Sequence, residues 1–417
     1  IGLALDLDNG TLTFYKNGSS QGTAYNSMGT GTFFMGVSGT GSATAVCNFG
    51  QREFSHAAPS NHKCLTTTSL PTPTIADGSD HFETSIWTVP SGSANTTISG
   101  LSFAPDLLIT KNRSQSYEGS VYDTVRGDDK YLKLFSGSGN AAESTAATRV
   151  NLTSDGFVLE ADNDNSNYTA GSNSVGWTWN AGTSTVSNTD GDVTSQVRVN
   201  QTAGISIVSW TNPSSGSGAF TVGHSLGTSP SLVIIKSRSN SGNWNTFHSS
   251  VSTDTSKYLS LNSTDAVQSY SGLWGSALPT NSVFGLGNNF RDGYTMIAYC
   301  ISPVSGFSAV GSYTGNQSTD GTFVPLNFKP AFVMLKHTQT NGYDWAINDA
   351  ARNTNNPASN GLFPSSTAAE DSSRHVDLLS NGFKLRNSSP IYNQSGIVYA
   401  YLAFAENPFQ TNGGIAR

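Results

Sequence analysis

Residues 86–409 carry one pattern three times, and this repetition constrains the fold more than any other feature of the chain. The first copy holds Phe103-Ala-Pro105-Asp-Leu-Leu-Ile-Thr-Lys111-Asn-Arg-Ser114. The second holds Thr228-Ser-Pro230-Ser-Leu-Val-Ile-Ile-Lys236-Ser-Arg-Ser239, and the third Phe328-Lys-Pro330-Ala-Phe-Val-Met-Leu-Lys336-His-Thr-Gln339. A later block follows in the same order: Asp155-Gly-Phe157-Val-Leu159, Ser282-Val-Phe284-Gly-Leu286, Asn381-Gly-Phe383-Lys-Leu385. A third block closes each copy, at Gly176-Trp177-Thr-Trp179, Ala298-Tyr299-Cys-Ile301 and Ala403-Phe404-Ala-Glu406. Anchors that drift together mark a duplicated unit. The spacing exceeds the roughly 20–50 residues of solenoid repeats, so each copy is long enough to be a domain.

The repeated positions are Pro, aliphatic, aromatic and Gly, the vocabulary of strands and turns, whereas the polar stretches between them differ freely. That pattern describes a scaffold with variable loops and leans toward architecture or binding over chemistry. Each copy reads as about seven short strands with turns every 8–12 residues, the signature of a sandwich. The expected fold is all-β, a multi-domain chain of β-sandwich modules strung into a rod. The boundaries are a first module at 1–64, a Pro/Thr-rich linker at 65–81, sandwich repeats at 82–182, 204–305 and 306–409, a connecting segment or extra hairpin at 183–203, and a tail at 410–417. Only short pieces such as 366–372 suit helical turns. In the first module, strands are expected at Leu3–Leu7 and Thr11–Tyr15 around the hairpin signal Asp8-Asn9-Gly10, and again at 33–37 and 43–49.

Only 12% of residues are charged, while aromatics make up 10%. Disorder needs the opposite balance, so Thr, Ser and Asn must line exposed strand faces. The net charge of −7 and the absence of any basic cluster argue against nucleic acid as a partner. No apolar stretch reaches the ~20 residues of a membrane span. The chain starts at Ile1 inside a strand-like sequence, so further sequence is expected upstream. Cys47, Cys64 and Cys300 are an odd count, which excludes a fully paired framework; three buried thiols, or a Cys47–Cys64 pair, are both open.

Leu5-Asp-Leu-Asp-Asn-Gly-Thr-Leu-Thr-Phe-Tyr-Lys-Asn-Gly18, followed by Asn48-Phe-Gly-Gln51, resembles the C-terminal half of a SPRY domain. That resemblance implies a β-sandwich that binds partners through loops and has no catalytic residues. The whole chain resembles a family of large proteins from tailed phages and prophages. The closest matches are Tyr399-Ala-Tyr-Leu-Ala-Phe-Ala-Glu-Asn-Pro-Phe409, Ser312-Tyr-Thr-Gly-Asn-Gln-Ser-Thr-Asp-Gly321 and Leu379-Ser-Asn-Gly-Phe-Lys-Leu-Arg-Asn387. This resemblance implies a non-enzymatic structural protein on the virion surface, a tail or head fibre or a decoration. It would present loops for host attachment or assembly. The implied partners are other virion proteins, host-surface glycan and further copies of the chain, a trimer in the case of a fibre.

Two other classes compete. A glycan-binding adhesin would use exposed aromatic faces, and Tyr117, Tyr122, Trp244, Tyr270, Trp274 and Tyr343 lie in divergent stretches suited to that role. Trp87, Trp177, Trp179, Trp210 and Trp345 sit on recurring positions and are expected in the core. A polysaccharide depolymerase would need paired carboxylates, and Asp123, Asp128, Asp129, Glu143, Asp155, Glu160, Asp162 and Asp164 crowd into repeat one. Asp162 and Asp164 also offer hard oxygen ligands for Ca²⁺, although no EF-hand loop is present, and no other cofactor is implied. The seven histidines show no metal-ligand spacing and are expected on surface loops.

Overall fold

The structure, a computed structural model, describes residues 1–29, 33, 35–38, 41, 44–66, 69–70, 72–91, 95–134, 142–145, 150–160 and 169–409. The chain divides into two compact units, Ile1–Thr72 and Pro73–Arg417. It is all-β, built of separate antiparallel sheets, with one short α-helix among the described residues at Pro390–Asn393. No described helix is long and apolar enough to cross a membrane. The 366–372 segment is not helical.

The first unit contains one three-stranded antiparallel sheet, Gly2–Asp6, Thr11–Lys16 and Ser19–Tyr25. Its first turn is fastened by Asp6, whose carboxylate accepts from Asn9 N at 3.0 Å and Asn9 Nδ2 at 2.8 Å. The second turn places Asn17 and Gly18 at φ of 51° and 80°, the left-handed pair that a two-residue hairpin requires. The strands expected at 33–37 and 43–49 are not formed by the described residues there. Met35, Val37 and Val46 are 50%, 57% and 74% exposed; without a ladder partner or a buried face, their apolar character does not make a strand.

In the second unit each repeat forms a large sheet and a small one, packed face to face. Repeat one pairs a six-stranded with a three-stranded sheet, repeat two an eight-stranded with a two-stranded, and repeat three a four-stranded with a three-stranded. At 183–203 a hairpin forms, Thr185–Asn188 with Ser195–Asn200. It extends the repeat-two sheet by pairing with Ile205–Thr211. Ile75 and Gly78, from the segment expected to be linker, are buried in this unit; a Cβ at Gly78 would stand 2.2 Å from Ala405 O.

The three sandwiches do not form the expected rod. Each large sheet has a second buried face. Along Leu232–Ser237 and Thr295–Ile301, side chains alternate with the period of two that a strand imposes. Val233, Ile235, Met296, Ala298 and Cys300 fill the sandwich of repeat two. Leu232, Ile234, Ile297, Tyr299 and Ile301 face the other way, into a core shared with Leu107, Trp177 and Trp179 of repeat one and Phe332 and Met334 of repeat three. The sandwiches therefore surround one common apolar centre.

Candidate functional site

The contacts that join the repeats run in one rotational sense. Tyr299 Oη of repeat two donates to Asp123 Oδ2 of repeat one at 2.7 Å. Trp177 Nε1 of repeat one donates to Asp349 Oδ2 of repeat three at 3.0 Å. Tyr401 O of repeat three lies 3.1 Å from His248 Nε2 of repeat two. The ladders make Trp177, Tyr299 and Leu402 equivalent, so the third contact comes from the carbonyl of the residue before the equivalent one. Trp177, Tyr299 and Leu402 stand opposite Ile109, Ile234 and Met334, and Asp123, His248 and Asp349 opposite Leu107, Leu232 and Phe332. Backbone bonds follow the same order: Glu143 N to Arg238 O at 2.8 Å, Glu370 N to Arg113 O at 2.9 Å, and Val267 N to Thr338 O at 2.9 Å. Repeat two thus meets one, one meets three and three meets two, which closes a ring of head-to-tail contacts within a single chain.

Two of the three junctions hold buried ions. Asp123 pairs with Arg126, and Asp349 with Arg352 at 2.6 Å, all four side chains fully buried. Both arginines also donate to a strand carbonyl, Val121 O at 2.8 Å and Ile347 O at 2.9 Å. A glutamate then bridges the repeats. Glu143 accepts two bonds from Arg238, at 2.8 and 3.0 Å, and lies 3.6 Å from Arg126. Glu370 accepts two from Arg113, at 2.8 and 2.9 Å, and lies 3.2 Å from Arg352. Burial pushes the Glu370 carboxyl up, but the two arginines outweigh it and hold it below its ordinary value. Such fork-to-fork pairing satisfies charges that burial would otherwise penalise.

At the third junction the equivalent positions are neutral: His248, Val251, Val267 and Thr338. His248 is buried, and its Nδ1 accepts from Ser250 N at 3.3 Å. Nε2 therefore carries the proton that bonds Tyr401 O, and both ring nitrogens are satisfied only in the neutral form. Burial pushes its pKa down to about 4.

Two of the three repeated lysines, Lys111 and Lys336, reinforce the ring. Strand alternation puts Lys111, Lys236 and Lys336 on the face of Ile109, Ile234 and Met334, and all three are buried. Lys111 Nζ donates to Tyr117 O at 2.9 Å and to Ser366 O of repeat three at 3.0 Å. Lys336 Nζ donates to Tyr343 O and to Ser263 O of repeat two at 3.4 Å. Lys236 Nζ donates to Ser237 O and Asn240 O. Burial pulls each ammonium down to about 8.

A family described as "Domain of unknown function (DUF7483)" matches residues 77–408. The chain belongs to this family. The DUF7483 match takes in all three repeats, and no curated protein matches the chain.

Within the DUF7483 domain, three of the aromatic candidates are core residues. Tyr122, Trp244 and Trp274 are 2%, 2% and 0% exposed, so they present no face to a glycan. Trp244 stacks on Tyr299 and donates to Lys133 O of repeat one at 3.0 Å. Trp274 packs edge-on to Phe247 inside repeat two, and Tyr122 lies in the repeat-one sandwich. Their divergence between repeats reflects different packing partners, not solvent. Tyr270 is 45% exposed and bonded to Asn289. Tyr117 and Tyr343 are half-buried. They occupy equivalent loops, because their carbonyls accept from the equivalent Lys111 and Lys336. The Tyr343 ring stacks on His337 at 4.4 Å. Trp177, Trp179, Trp210 and Trp345 are buried as expected, and Trp87 is half-buried against Phe157.

Among the carboxylates of repeat one, Asp123 and Glu143 belong to the arginine networks, and Asp155 Oδ2 accepts from Gly100 N. Asp162 and Asp164 lie outside the described residues. Among those described, no group of three or more His, Cys, Asp or Glu could hold a metal ion. The histidines depart from expectation, since His224, His248 and His337 are buried. Cys300 is buried, Cys47 and Cys64 are half-buried, and all three are free thiols. The motif Asp123-x-x-Arg126, repeated as Asp349-x-x-Arg352, is the signal that sequence reading missed.

Proposed function

We propose that this chain is a non-enzymatic structural component of a phage virion, a tail or head fibre or a surface decoration. Its DUF7483 unit would serve as a rigid platform displaying loops for attachment or assembly. The observation carrying this reading is the use made of the repeated polar residues. Lys111, Lys336, the Asp-x-x-Arg pairs and the bridging glutamates take part in the contacts between repeats. The phage-family resemblance of the sequence supports the virion setting. Because the ring closes within one chain, any homo-oligomer, including a fibre trimer, is formed by other surfaces. Quantitative mass spectrometry of purified particles tests the proposal: a fixed ratio to the major capsid protein is expected, and absence from particles overturns it.

A second reading, glycan binding, is favoured by Tyr117 and Tyr343, aromatic residues on equivalent loops of two repeats. Glycan-array signal that disappears in Tyr117→Ala and Tyr343→Ala proteins of unchanged stability would support it. Signal that survives both substitutions counts against it.

A further inference from the structure

The common centre of the ring is not filled. A cavity of about 70 Å³ lies there, lined from all three repeats. Its wall includes the equivalent layer Ile109, Ile234 and Met334, and the equivalent trio Trp177, Tyr299 and Leu402. Trp177, Tyr299 and Leu402 differ in length and shape, so the three repeats present unlike side chains to the centre.

The wall is hydrocarbon. Three of its polar aromatic tips bond elsewhere, Trp177 Nε1 to Asp349, Tyr299 Oη to Asp123 and Trp244 Nε1 to Lys133 O; the fourth, Trp179 Nε1, is buried without a hydrogen-bond partner and is a single donor. A buried water needs two to four polar partners, whereas an apolar cavity of roughly 150 Å³ stays dry and takes benzene or xenon. A void about half that size suits a single heavy gas atom or a very small hydrocarbon or halocarbon, and is too small for benzene.

We infer that the central cavity is a binding site for one small uncharged apolar molecule, and that its occupant favours the closed ring. The second part follows from placement. The wall exists only when the three repeats are together, so a molecule held there binds the folded ring and not an opened one, and stabilises it by mass action.

Xenon is the probe. Crystals of the full chain under xenon pressure are expected to show one atom between Ile109, Ile234 and Met334. In solution, the unfolding midpoint is expected to rise with xenon pressure. Ile234→Phe, which fills the cavity, should abolish xenon uptake without lowering the midpoint. Should that protein fail to fold, Ile234→Ala provides the opposite change: the enlarged cavity should admit benzene, which the unaltered chain excludes. Ordered water in the cavity, xenon bound only elsewhere, or a midpoint indifferent to pressure would each overturn the inference.

Discussion

Glu143 of repeat one grips Arg238 of repeat two through two parallel hydrogen bonds, at 2.8 and 3.0 Å, and the same glutamate faces the buried Arg126 of its own repeat. Repeats one and three share an equivalent arrangement through Glu370, Arg113 and Arg352. Arginine–carboxylate networks therefore join two junctions of the ring; at the third their positions are neutral, and Lys336, which donates to Ser263 O, is the charged group across it.

Removing one member of a buried pair leaves the other charged and unpaired, which costs about 3–5 kcal/mol. Arg126→Met and Arg352→Met are each expected to lower stability by about that amount in urea unfolding. Changing Asp349 to Asn together with Arg352→Met should recover much of the loss, because both charges then leave the interior. Losses below about 1 kcal/mol would show that these ions are not holding the junctions.

The neutral junction should respond to acid. The groups facing His248 are Ser250, Ser252 and the Tyr401 carbonyl, and burial holds its pKa near 4, below the ordinary 6.5. The unfolded chain therefore takes up the proton first. The stability contributed by neutral His248 is complete above about pH 6.5 and declines as pH falls toward 4. The unfolding midpoint should drop across that window. His248→Gln, which cannot charge, should flatten the decline, although Glu370 adds its own loss as it protonates at the acid end. An unchanged slope in the variant would remove His248 as the cause.

Side-chain placement separates two kinds of aromatic candidate. Trp244→Ala and Trp274→Ala empty packed sites and should cost about 3–5 kcal/mol. Tyr117→Ala and Tyr343→Ala remove half-buried loop side chains and should cost about 1 kcal/mol. Thermal and urea unfolding of the four proteins read this directly, and a mild effect at Trp274 would contradict its burial.

Much of the fold was legible because strands announce themselves locally. The Pro–apolar–Lys blocks fall on strands in all three repeats, and Trp87, Trp210 and Tyr313 occupy equivalent ladder positions. What escaped was the second buried face. A sandwich with one face in solvent should alternate, but Leu232-Val-Ile-Ile235 is apolar without a break, as is Ala331-Phe-Val-Met-Leu335. Unbroken runs indicate burial on both faces, and here they point to a ring instead of a rod. Three of the six aromatic candidates, Tyr122, Trp244 and Trp274, are core residues for a related reason. Divergence between repeats does not mean exposure: Trp244 packs on Tyr299 and bonds Lys133 O at its own junction. No local pattern could pair Glu143 with Arg238, since that contact depends on how the repeats close.

Alkali should strengthen this protein before it weakens it. Burial holds Lys111, Lys236 and Lys336 near pKa 8, against an ordinary value of 10.5. Asp344 and Glu118 face Lys111, and Asp344 and Asp265 face Lys336, but desolvation outweighs them. For Lys236 burial acts alone. At these three lysines the unfolded chain keeps its protons between about pH 8 and 10.5 while the folded chain gives them up, so they raise stability with pH; the buried Cys300 thiol, pushed up to about 12, and the buried Tyr299, Tyr313 and Tyr399 hydroxyls, pushed up from 10, act the opposite way from about pH 9 upward. Neutral amines still donate hydrogen bonds to carbonyls, so the clamps survive deprotonation. The urea midpoint should climb from pH 7.5 to about 9, below the range where Cys300 and the buried tyrosines act, and Lys236→Met should remove part of the climb. A midpoint that falls steadily over this range would mean that the lysines remain charged in the fold, and that the carbonyls around them solvate an ammonium better than burial suggests.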